Sequence, residues 1–492
     1  MSETAASLPV LCALVVAVLL FDAAIRPRPA GTWRRGAAGS LVMILAALAA
    51  FGLALVVTGA VLTSAVLVAG FAGLVALVSN IKTKVLGEPL VFSDFALVGA
   101  VFRHPQFYVS ALKGWQIAVI LLGFAAAAAM LLWFSGPAIA PRLAGAGLAA
   151  LAGGLLVLLL RAPRWDGLAA DPDSHRDVMA HGLLATLLVH WSRWRRLADP
   201  EPCAAAPLRG RRDQIVIVVQ CESFADPADL WGEASPALPG LSAARALARH
   251  SGRLMAHGFG AYTMRTEYGV LFGRGEEALG LRKFDPFLTA GREASFSLAR
   301  RLCGDAWTSH FVHPHDLRFY GRDELMVAAG FTSLVGQEAF APPAPGEGRY
   351  VSDAAVADKI AELAGAAQGA TLIYAVTIEN HGPWAAGTRG DTAAGRAQYL
   401  RLLQRSDAML ARLVDVARGL GRPVLLCFFG DHRPSIPGVC EPGAERHTPY
   451  VLLDIAADGT PRAPGERAGH DLTPAQLHHL ILAAIGSGSG QG

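Results

Sequence analysis

Residues 36–81 contain no Asp, Glu, Lys or Arg, and this uncharged stretch constrains the fold more than any other feature of the sequence. As a helix that rises 1.5 Å per residue it would be roughly 70 Å long, about twice the hydrocarbon thickness of a bilayer. It therefore predicts two membrane-spanning helices with a turn near Thr58 and Gly59. Three more apolar segments of sufficient length predict a total of five spans: 8–25, 116–134 and 143–160.

The first apolar segment also has the length of a secretory signal peptide. It lacks a basic leader and an A-x-A-like cleavage site, which favours a retained membrane helix. The long segment 80–114 between the third and fourth spans is polar and contains a turn, so we expect it to lie at the membrane interface.

The charge distribution separates two unlike parts of the chain. Residues 1–161 hold 10 of the 43 Lys and Arg residues and 4 of the 40 Asp and Glu residues. A nucleic-acid-binding protein concentrates basic residues on its folded domain. Here the part of the chain after residue 161 is slightly acidic, which excludes a nucleic-acid partner.

The composition predicts four regions: a transmembrane domain at 1–165, an amphipathic helix and linker at 166–212, an α/β domain at 213–486 and a flexible tail at 487–492.

Apolar residues recur at helical spacing just before the basic run RWRR and predict an amphipathic helix. They are Ala180, Leu183, Leu184, Leu187, Leu188 and Trp191. Such a helix either lies on the membrane surface or packs as an ordinary helix of the α/β domain, and one apolar stripe does not distinguish these interpretations.

From residue 213 onward, short runs rich in β-branched residues alternate with helical segments such as 397–420. The runs QIVIVVQCE, TLIYAVTIEN, PVLLCFFGDH and TPYVLLD are continuously apolar, as strands buried on both faces are. This pattern predicts an α/β domain with a mainly parallel central sheet.

Polar residues follow several of these strands and are expected to meet beyond the carboxyl edge of the sheet. Glu222, His381 and the pair Asp431 and His432 follow three of the runs, and Thr263 lies in the loop segment FGAYTMRTEYG. Carboxylates, an imidazole and a hydroxyl on one edge predict an oxygen-rich site for a divalent metal ion.

With these motifs in view, the sequence resembles the membrane-anchored phosphoglycerol and phosphoethanolamine transferases of the alkaline phosphatase/sulfatase superfamily. The similarity is greatest to lipoteichoic acid synthase and the periplasmic glucan phosphoglycerol transferases. It covers nearly the whole chain and rests on ordered motifs: LGEPLVFSDF, CES, TMRTE, HPHDLRFYGRDELMVAAGF, NHGPW and GDH. It implies a five-helix transmembrane bundle followed by an alkaline phosphatase/sulfatase-like α/β domain.

The resemblance also implies roles for individual residues. The implied ligands of one divalent cation, with manganese favoured and zinc or magnesium as alternatives, are Glu222, Thr263, Asp431 and His432. Thr263 would also be the nucleophile, and His381 would exchange a proton with the leaving or accepting oxygen. The implied contacts to the head group and phosphate are His313, Tyr320, Arg322 and His381. Tyr320 stands where the synthase pattern has Trp, which leaves the head-group preference open.

The chemistry independently requires these residue types. A threonine hydroxyl is a poor nucleophile, and a directly bound divalent cation promotes loss of its proton. Attack by Thr263 on a phospholipid phosphodiester would release diacylglycerol and leave a phospho-threonine, which an acceptor hydroxyl then resolves. The planar guanidinium of Arg322 offers paired donors to phosphate oxygens.

Several of these residues also have a purely structural interpretation. His313 and Arg322 would then hold the surface loop HPHDLRFYGRD together, and Tyr320 would be a packing residue. Arg265 and Glu267, on the same segment as Thr263, are expected to take part in a structural salt bridge.

The sequence predicts a membrane transferase that moves phosphoglycerol from phosphatidylglycerol to an envelope glycan or a similar acceptor. The alternatives are phosphoethanolamine transfer, hydrolysis of a phosphodiester and, from another class, a non-catalytic membrane scaffold. Sulfatase activity is disfavoured because it requires a Cys or Ser that becomes formylglycine, and position 263 is Thr.

The resemblance implies a location in the bacterial inner membrane with the catalytic domain facing the periplasm. The positive-inside rule favours the opposite orientation, because four arginines follow the first span: Arg26, Arg28, Arg34 and Arg35.

Overall fold

The structure is a computed structural model that describes residues 3–28, 35–97, 114–208, 210–232, 235–302, 307–344, 346–384 and 391–487. The chain divides into two compact units, Met1–Leu197 and Ala198–Gly492. The predicted domain boundaries at 165, 212 and 486 stay predictions. The predicted tail lies outside the described residues from residue 488 onward, as does the part of the predicted interfacial segment at 98–113.

In its described residues the first unit contains five helices that are long and apolar enough to cross a membrane, which confirms the predicted number of spans. Their bounds are α1 Glu3–Ala24, α2 Ala37–Thr58, α3 Val61–Leu86, α4 Gly114–Trp133 and α5 Ile139–Arg161. The predicted turn between the second and third spans is also confirmed, since α2 ends at Thr58 and Gly59 follows with a φ of 66°. Glycine suits this left-handed position because it has no Cβ.

Helices α2 and α5 approach each other closely through two glycines. A Cβ on Gly52 would lie 2.6 Å from the carbonyl oxygen of Gly145, so neither position has room for a larger residue. Small residues commonly allow membrane helices to pack at short distance.

A buried ion pair ties the end of α1 to the start of the next helix. Arg35 Nε lies 3.4 Å from Asp22 Oδ2, and Arg35 Nη2 donates to the carbonyl oxygens of Asp22 and Ile25 at 3.1 and 2.8 Å. The carboxylate of Asp22 also accepts a hydrogen bond from the backbone N–H of Leu183 at 3.0 Å. Two charges in an apolar unit are thus compensated by each other and by backbone groups.

Among the described residues, the first unit also contains three shorter α-helices: α6 Asp166–Ala170, α7 Ser174–His181 and α8 Leu183–Trp194. The prediction of one helix through Ala180 and Trp191 is therefore wrong, because Gly182, with a φ of 85°, separates α7 from α8. In α8, Ala185 and Val189 pack into a core with Val42 of α2. Because α8 belongs to the first unit, its assignment to the α/β domain is wrong, and a position on the membrane surface stays a prediction.

The second unit is built on an eight-stranded sheet. The strands are β1 Ile215–Cys221, β2 His250–Met255, β3 Trp307–Val312, β4 Ser333–Val335, β5 Ala370–Val376, β6 Val424–Gly430, β7 His447–Ile455 and β8 Arg467–Ala468. Their order is β4-β3-β5-β1-β6-β7-β2-β8. The five strands from β4 to β6 are parallel, β7 runs antiparallel to both β6 and β2, and β8 is parallel to β2. The predicted fold class is confirmed.

Helices of the second unit in the described residues are α9 Pro227–Trp231, α10 Pro239–Leu247, α11 Thr263–Phe272, α12 Glu276–Leu279, α13 Phe287–Ala290, α14 Leu298–Arg301, α15 Arg322–Ala328, α16 Asp353–Ala366, α17 Thr392–Gly419 and α18 Pro474–Ser487. Helices α10, α16 and α17 contribute apolar side chains to one core with the central strands β1, β5 and β6. The helix predicted at 397–420 begins earlier, at Thr392, because the side chain of Asp391 caps it by accepting from the N–H of Ala394 at 2.9 Å.

The register of the three central strands aligns their carboxyl ends. Gln220 of β1 lies beside Val376 of β5 and Phe429 of β6. The residues that follow these strands therefore emerge side by side at one edge of the sheet.

Candidate active site

Three residues that directly follow the central strands lie next to one another at this edge. Glu222 follows β1, Thr377 follows β5 and Asp431 follows β6. The backbone N–H of Glu222 donates to Thr377 Oγ1 at 3.0 Å, which joins two of the strand ends.

Ser223 links the two carboxylates. Its backbone N–H donates to Asp431 Oδ1 at 2.8 Å, and its hydroxyl donates to Glu222 Oε1 at 2.7 Å. Ser223 adopts a φ of 51°, which is unfavourable for a residue with a Cβ and is often found at functional sites. The sharp turn after β1 thus aims one backbone N–H and one hydroxyl at the site.

The two carboxylate oxygens of Asp431 differ in their hydrogen bonding to the protein. Oδ1 accepts from the backbone N–H groups of Ser223 and His432, both at 2.8 Å. Within the described residues, the buried Oδ2 has no hydrogen-bond partner. Leaving such an atom unsatisfied costs free energy unless a ligand completes its coordination.

The imidazole of His432 presents Nε2 to the same volume. Its Nδ1 lies 3.1 Å from the carbonyl oxygen of Arg433, which only accepts, so Nδ1 carries the proton and Nε2 presents its lone pair. Nε2 lies 3.5 Å from Glu222 Oε1 and 3.5 Å from Asp431 Oδ2.

Thr263 completes this group from the N-terminus of a helix. The sequence predicts a loop here, but Thr263 is the first residue of α11, and its Oγ1 lies 3.4 Å from His432 Nε2. Tyr262 precedes it with a φ of 67°, so the chain turns sharply into the helix. The free N–H groups at a helix N-terminus favour negative charge nearby.

The pKa values in this cluster are shifted because the carboxylates of Glu222 and Asp431 are both buried and lie close to each other. Burial and the neighbouring Glu222 raise the pKa of Asp431 to about 7. For His432 burial opposes the charged form, but Asp431 and Glu222 outweigh it and raise the pKa of the imidazole. The cluster therefore favours additional positive charge.

These side chains fit a divalent cation. Glu222, Asp431 and His432 each offer one ligand atom, and these atoms lie within 4.8 Å of one another in a buried setting. With the Thr263 hydroxyl they supply three oxygens and one nitrogen, a set that suits manganese, magnesium or zinc. The structure thus brings together all four residues that the resemblance implies as ligands.

A second group contains Arg322, Glu267 and Tyr320. Arg322 donates twice to Glu267, from Nε to Oε1 at 3.1 Å and from Nη2 to Oε2 at 2.6 Å. The side chains are 2% and 0% exposed, respectively. Burial opposes the charge of the guanidinium, but Glu267 raises its pKa. The guanidinium also lies 5.2 Å from the ring centre of Tyr320.

Both structural expectations for this region require correction. Arg322 and His313 do not belong to an exposed surface loop, because both side chains are buried. The salt bridge expected of Glu267 exists, but its partner is Arg322. Arg265 instead donates from Nε to the carbonyl oxygen of Phe284 at 3.1 Å and stacks over the ring of Tyr262 at 4.0 Å.

His313 and His381 lie on two further elements. His313 follows β3, and its Nδ1 lies 2.9 Å from the carbonyl oxygen of Val376. Burial, together with the nearby Arg322, lowers the pKa of His313 well below its usual value, so the imidazole is neutral. His381 lies in the loop after β5 with its ring centre 5.8 Å from that of Tyr350. Neither histidine is part of the cluster formed by the predicted metal ligands.

Three residues that shape the site were not predicted from the sequence, and for a fourth, Glu267, the partner was not predicted. Ser223 and Thr377 are polar residues at strand ends, a signal that was available. Thr266 donates from Oγ1 to the carbonyl oxygen of Asp431 at 2.8 Å. Glu267 lies one helical turn after Thr263 on the same helix, so a carboxylate near the site could be predicted. Its ion-pair partner, Arg322, could not.

The fold and the site define a class of protein. A unit with five membrane-length helices is joined in one chain to an α/β unit that carries a candidate metal centre at the carboxyl edge of its sheet. The chain belongs to the sulfatase family, whose sequence profile matches residues 214–480. The family to which the motifs pointed is thereby confirmed at the level of the alkaline phosphatase/sulfatase superfamily.

Two proteins of Rhizobium meliloti (strain 1021) are similar in sequence. The chain is 30% identical over 433 residues to the capsular polysaccharide biosynthesis protein RkpI, an alignment that covers 82% of this chain and 80% of that protein. It is 28% identical over 245 residues to a putative cyclic beta-1,2-glucan modification protein, covering 46% of this chain and 36% of the other.

A solved structure is similar over nearly the full length. It is the integral membrane protein lipooligosaccharide phosphoethanolamine transferase A (EptA) from Neisseria meningitidis, with a TM-score of 0.51 and 12% identity. The match covers 92% of this chain and 96% of that one, and it shows a shared fold.

Proposed function

We propose that this protein is a metal-dependent membrane phosphotransferase that moves phosphoglycerol from phosphatidylglycerol to a hydroxyl of an envelope glycan. The observation that carries the proposal is the position of Thr263. Its hydroxyl lies at a helix N-terminus, 3.4 Å from His432 Nε2, and that nitrogen lies 3.5 Å from the carboxylates of both Glu222 and Asp431.

In the first half of the reaction Thr263 Oγ attacks the phosphorus of the donor. A new Oγ–P bond forms, the bond between phosphorus and the diacylglycerol oxygen breaks, and phosphoglycerol stays on Thr263. A divalent cation held by Glu222, Asp431 and His432 would favour loss of the threonine proton and stabilise negative charge on the phosphate. The N–H groups at the start of α11 favour the same charge.

In the second half an acceptor hydroxyl attacks the phosphorus of the phospho-threonine. A bond between the acceptor oxygen and phosphorus forms, the Oγ–P bond breaks, and Thr263 Oγ takes back from water the proton that it lost to water in the first half. His381 is the proposed proton carrier: it gives a proton to the departing diacylglycerol oxygen and takes one from the acceptor hydroxyl. The neutral imidazole of His313 and the guanidinium of Arg322 are the proposed contacts to the phosphate and head group, with Tyr320 as an adjoining aromatic wall.

The names of the relatives support a glycan acceptor. One is described as a capsular polysaccharide biosynthesis protein and the other as a putative modification protein of a cyclic glucan. Five membrane-length helices in the chain suit a donor that resides in a bilayer.

The test uses the purified full-length chain, manganese and phosphatidylglycerol labelled in the acyl chain. Wild type should release labelled diacylglycerol, and either chelation of the metal or the substitution Thr263→Ala should stop the release. Thr460→Ala is a matched control, since Thr460 lies in an exposed turn after β7. Release that persists in Thr263→Ala overturns the assigned nucleophile.

The head group is tested in the same assay by replacing the donor with phosphatidylethanolamine. Phosphatidylglycerol should be consumed faster. Preference for phosphatidylethanolamine would overturn the assignment of the head group while leaving that of the nucleophile intact.

A further inference from the structure

A basic cavity lies in the first unit, and none of its lining residues belongs to the candidate active site. Its volume is about 340 Å³. It is formed where α5 ends and by the chain at the end of α8, and its lining residues include Val157, Leu160, Arg161, Trp191, Arg195 and Arg196. Sites for small molecules commonly have volumes of about 300–1,000 Å³.

Three arginines line this cavity, and there is no acidic residue among its lining residues. They are Arg161, Arg195 and Arg196. The guanidinium of Arg195 lies 5.0 Å from the ring centre of Trp191, whose side chain remains 45% exposed. The cavity therefore concentrates positive charge beside an accessible aromatic ring.

Arg193 belongs to the same basic run RWRR but is not among the residues that line the cavity. It forms an ion pair with Asp166 at 2.9 Å and donates to the carbonyl oxygen of Ala162 at 2.8 Å. One arginine of the run thus holds α8 to the segment after α5, whereas two neighbours line the cavity.

The other wall of the cavity is apolar and continues along a candidate membrane span. Val157 and Leu160 belong to α5, a helix of membrane-spanning length that ends at Arg161. Two other leucines of α5, Leu151 and Leu158, are 64% and 65% exposed. A molecule with an anionic head and long apolar chains matches both walls at once.

We propose that this cavity binds the head group of one anionic glycerophospholipid, with its acyl chains along α5. Arginine pairs with phosphate through parallel N–H···O bonds, and basic pockets at the ends of membrane helices are suited to anionic lipid head groups. Tryptophan is favoured at the membrane–water interface, where the lipid head groups lie, because its ring is apolar and its N–H is polar. This site is separate from the proposed transfer reaction and does not rest on it.

The test is native mass spectrometry of the full chain released from detergent with equal amounts of phosphatidylglycerol and phosphatidylcholine of identical acyl chains. Wild type should retain phosphatidylglycerol in preference to phosphatidylcholine. The triple variant R161Q/R195Q/R196Q should lose this preference by about tenfold or more. Lipid held by the second unit contributes equally to both samples, because the variant does not alter that unit.

Arg164→Gln is the matched control. Arg164 is exposed, lies three residues after Arg161 and stacks near Trp165, but does not line the cavity. It should keep the preference of wild type. An equal loss in this control, or an unchanged preference in the triple variant, overturns the proposal.

Two further arms complete the experiment. The single variant Arg196→Gln, at an exposed residue beyond α8, should weaken the preference for phosphatidylglycerol. If the triple variant does not fold, an unchanged preference in Arg196→Gln overturns the proposal. Soluble glycerol 1-phosphate at the lipid concentration should not displace the lipid. Full displacement would show a site for free phosphate and overturn the lipid assignment.

Discussion

Thr263 owes its position to contacts between its own segment and the segment that carries Asp431 and His432. The backbone N–H of Gly260 donates to the carbonyl oxygen of Arg433 at 2.9 Å. Thr266, one turn into the helix, donates to the carbonyl oxygen of Asp431 at 2.8 Å. The proposed nucleophile and two proposed metal ligands are therefore held by one hydrogen-bonded network and not only by a bound ion.

At the same scale, Glu267 connects the helix of Thr263 to Arg322. Glu267→Gln would leave a buried guanidinium without a counter-charge, and breaking a buried pair in this way typically costs about 3–5 kcal/mol. We expect a lower free energy of unfolding and a higher KM for the lipid donor, because Arg322 loses its fixed orientation. Thermal unfolding and donor titrations measure the two effects.

The double variant Glu267→Leu/Arg322→Met is the control for this prediction. It removes both charges, so much of the stability should return while transfer activity stays low. An unfolding free energy for Glu267→Gln equal to that of wild type would contradict the importance of the pair.

At the scale of elements, α16, α17 and the loop after β5 meet around a buried carboxyl group. Ser406 of α17 donates from Oγ to Asp353 Oδ2 at 2.5 Å. The backbone N–H of Asp353 donates to Glu379, which also pairs with Arg405 at 2.7 Å. Burial and the nearby Glu379 raise the pKa of Asp353 to about 7.

This pKa makes the packing of the two helices dependent on pH. Between about pH 4 and 7 the folded state keeps a proton on Asp353 that the unfolded state has lost. The contribution of this group to stability is therefore greatest below about pH 4 and is lost as the pH rises from there through 7, a change on the order of 4 kcal/mol. Asp353→Asn should remove this dependence.

Melting curves between pH 5 and 8 check the prediction. The melting temperature of wild type should fall relative to that of Asp353→Asn as the pH rises. Asp415→Asn, at an exposed position of α17, should run parallel to wild type. Parallel curves for Asp353→Asn as well would show that Asp353 does not titrate in this range.

The elements differ in how far the sequence determines them. Continuous apolar runs predict the membrane-length helices and the central strands correctly, because each run buries its own side chains whatever its neighbours are. The break between α7 and α8 was missed because it depends on Gly182 fitting against Asp22, a residue distant in sequence. The four proposed ligands were found through motifs, whereas the partner of Glu267 follows only from the packing of α11 against other elements.

At the scale of the whole molecule, the orientation in the membrane rests on opposing signals. The arginines after the first span favour a cytoplasmic second unit by the positive-inside rule. One of them, Arg35, is buried in an ion pair with Asp22, which reduces the free positive charge of this segment. We therefore propose the periplasmic orientation implied by the resemblance.

A fusion experiment checks this orientation. A reporter that is active only in the periplasm, joined after Ile485, should be active, and a reporter that folds only in the cytoplasm should be silent at the same position. The reverse pattern would contradict a periplasmic site.

Capture of the covalent intermediate is the decisive test of Thr263 as the nucleophile. Full-length protein with manganese and phosphatidylglycerol, but without acceptor, is quenched in acid and digested, and the peptides are analysed by mass spectrometry. Phosphoglycerol should be found on Thr263 and be lost on addition of the acceptor. Diacylglycerol release with the group on another residue, or on none, would contradict the account.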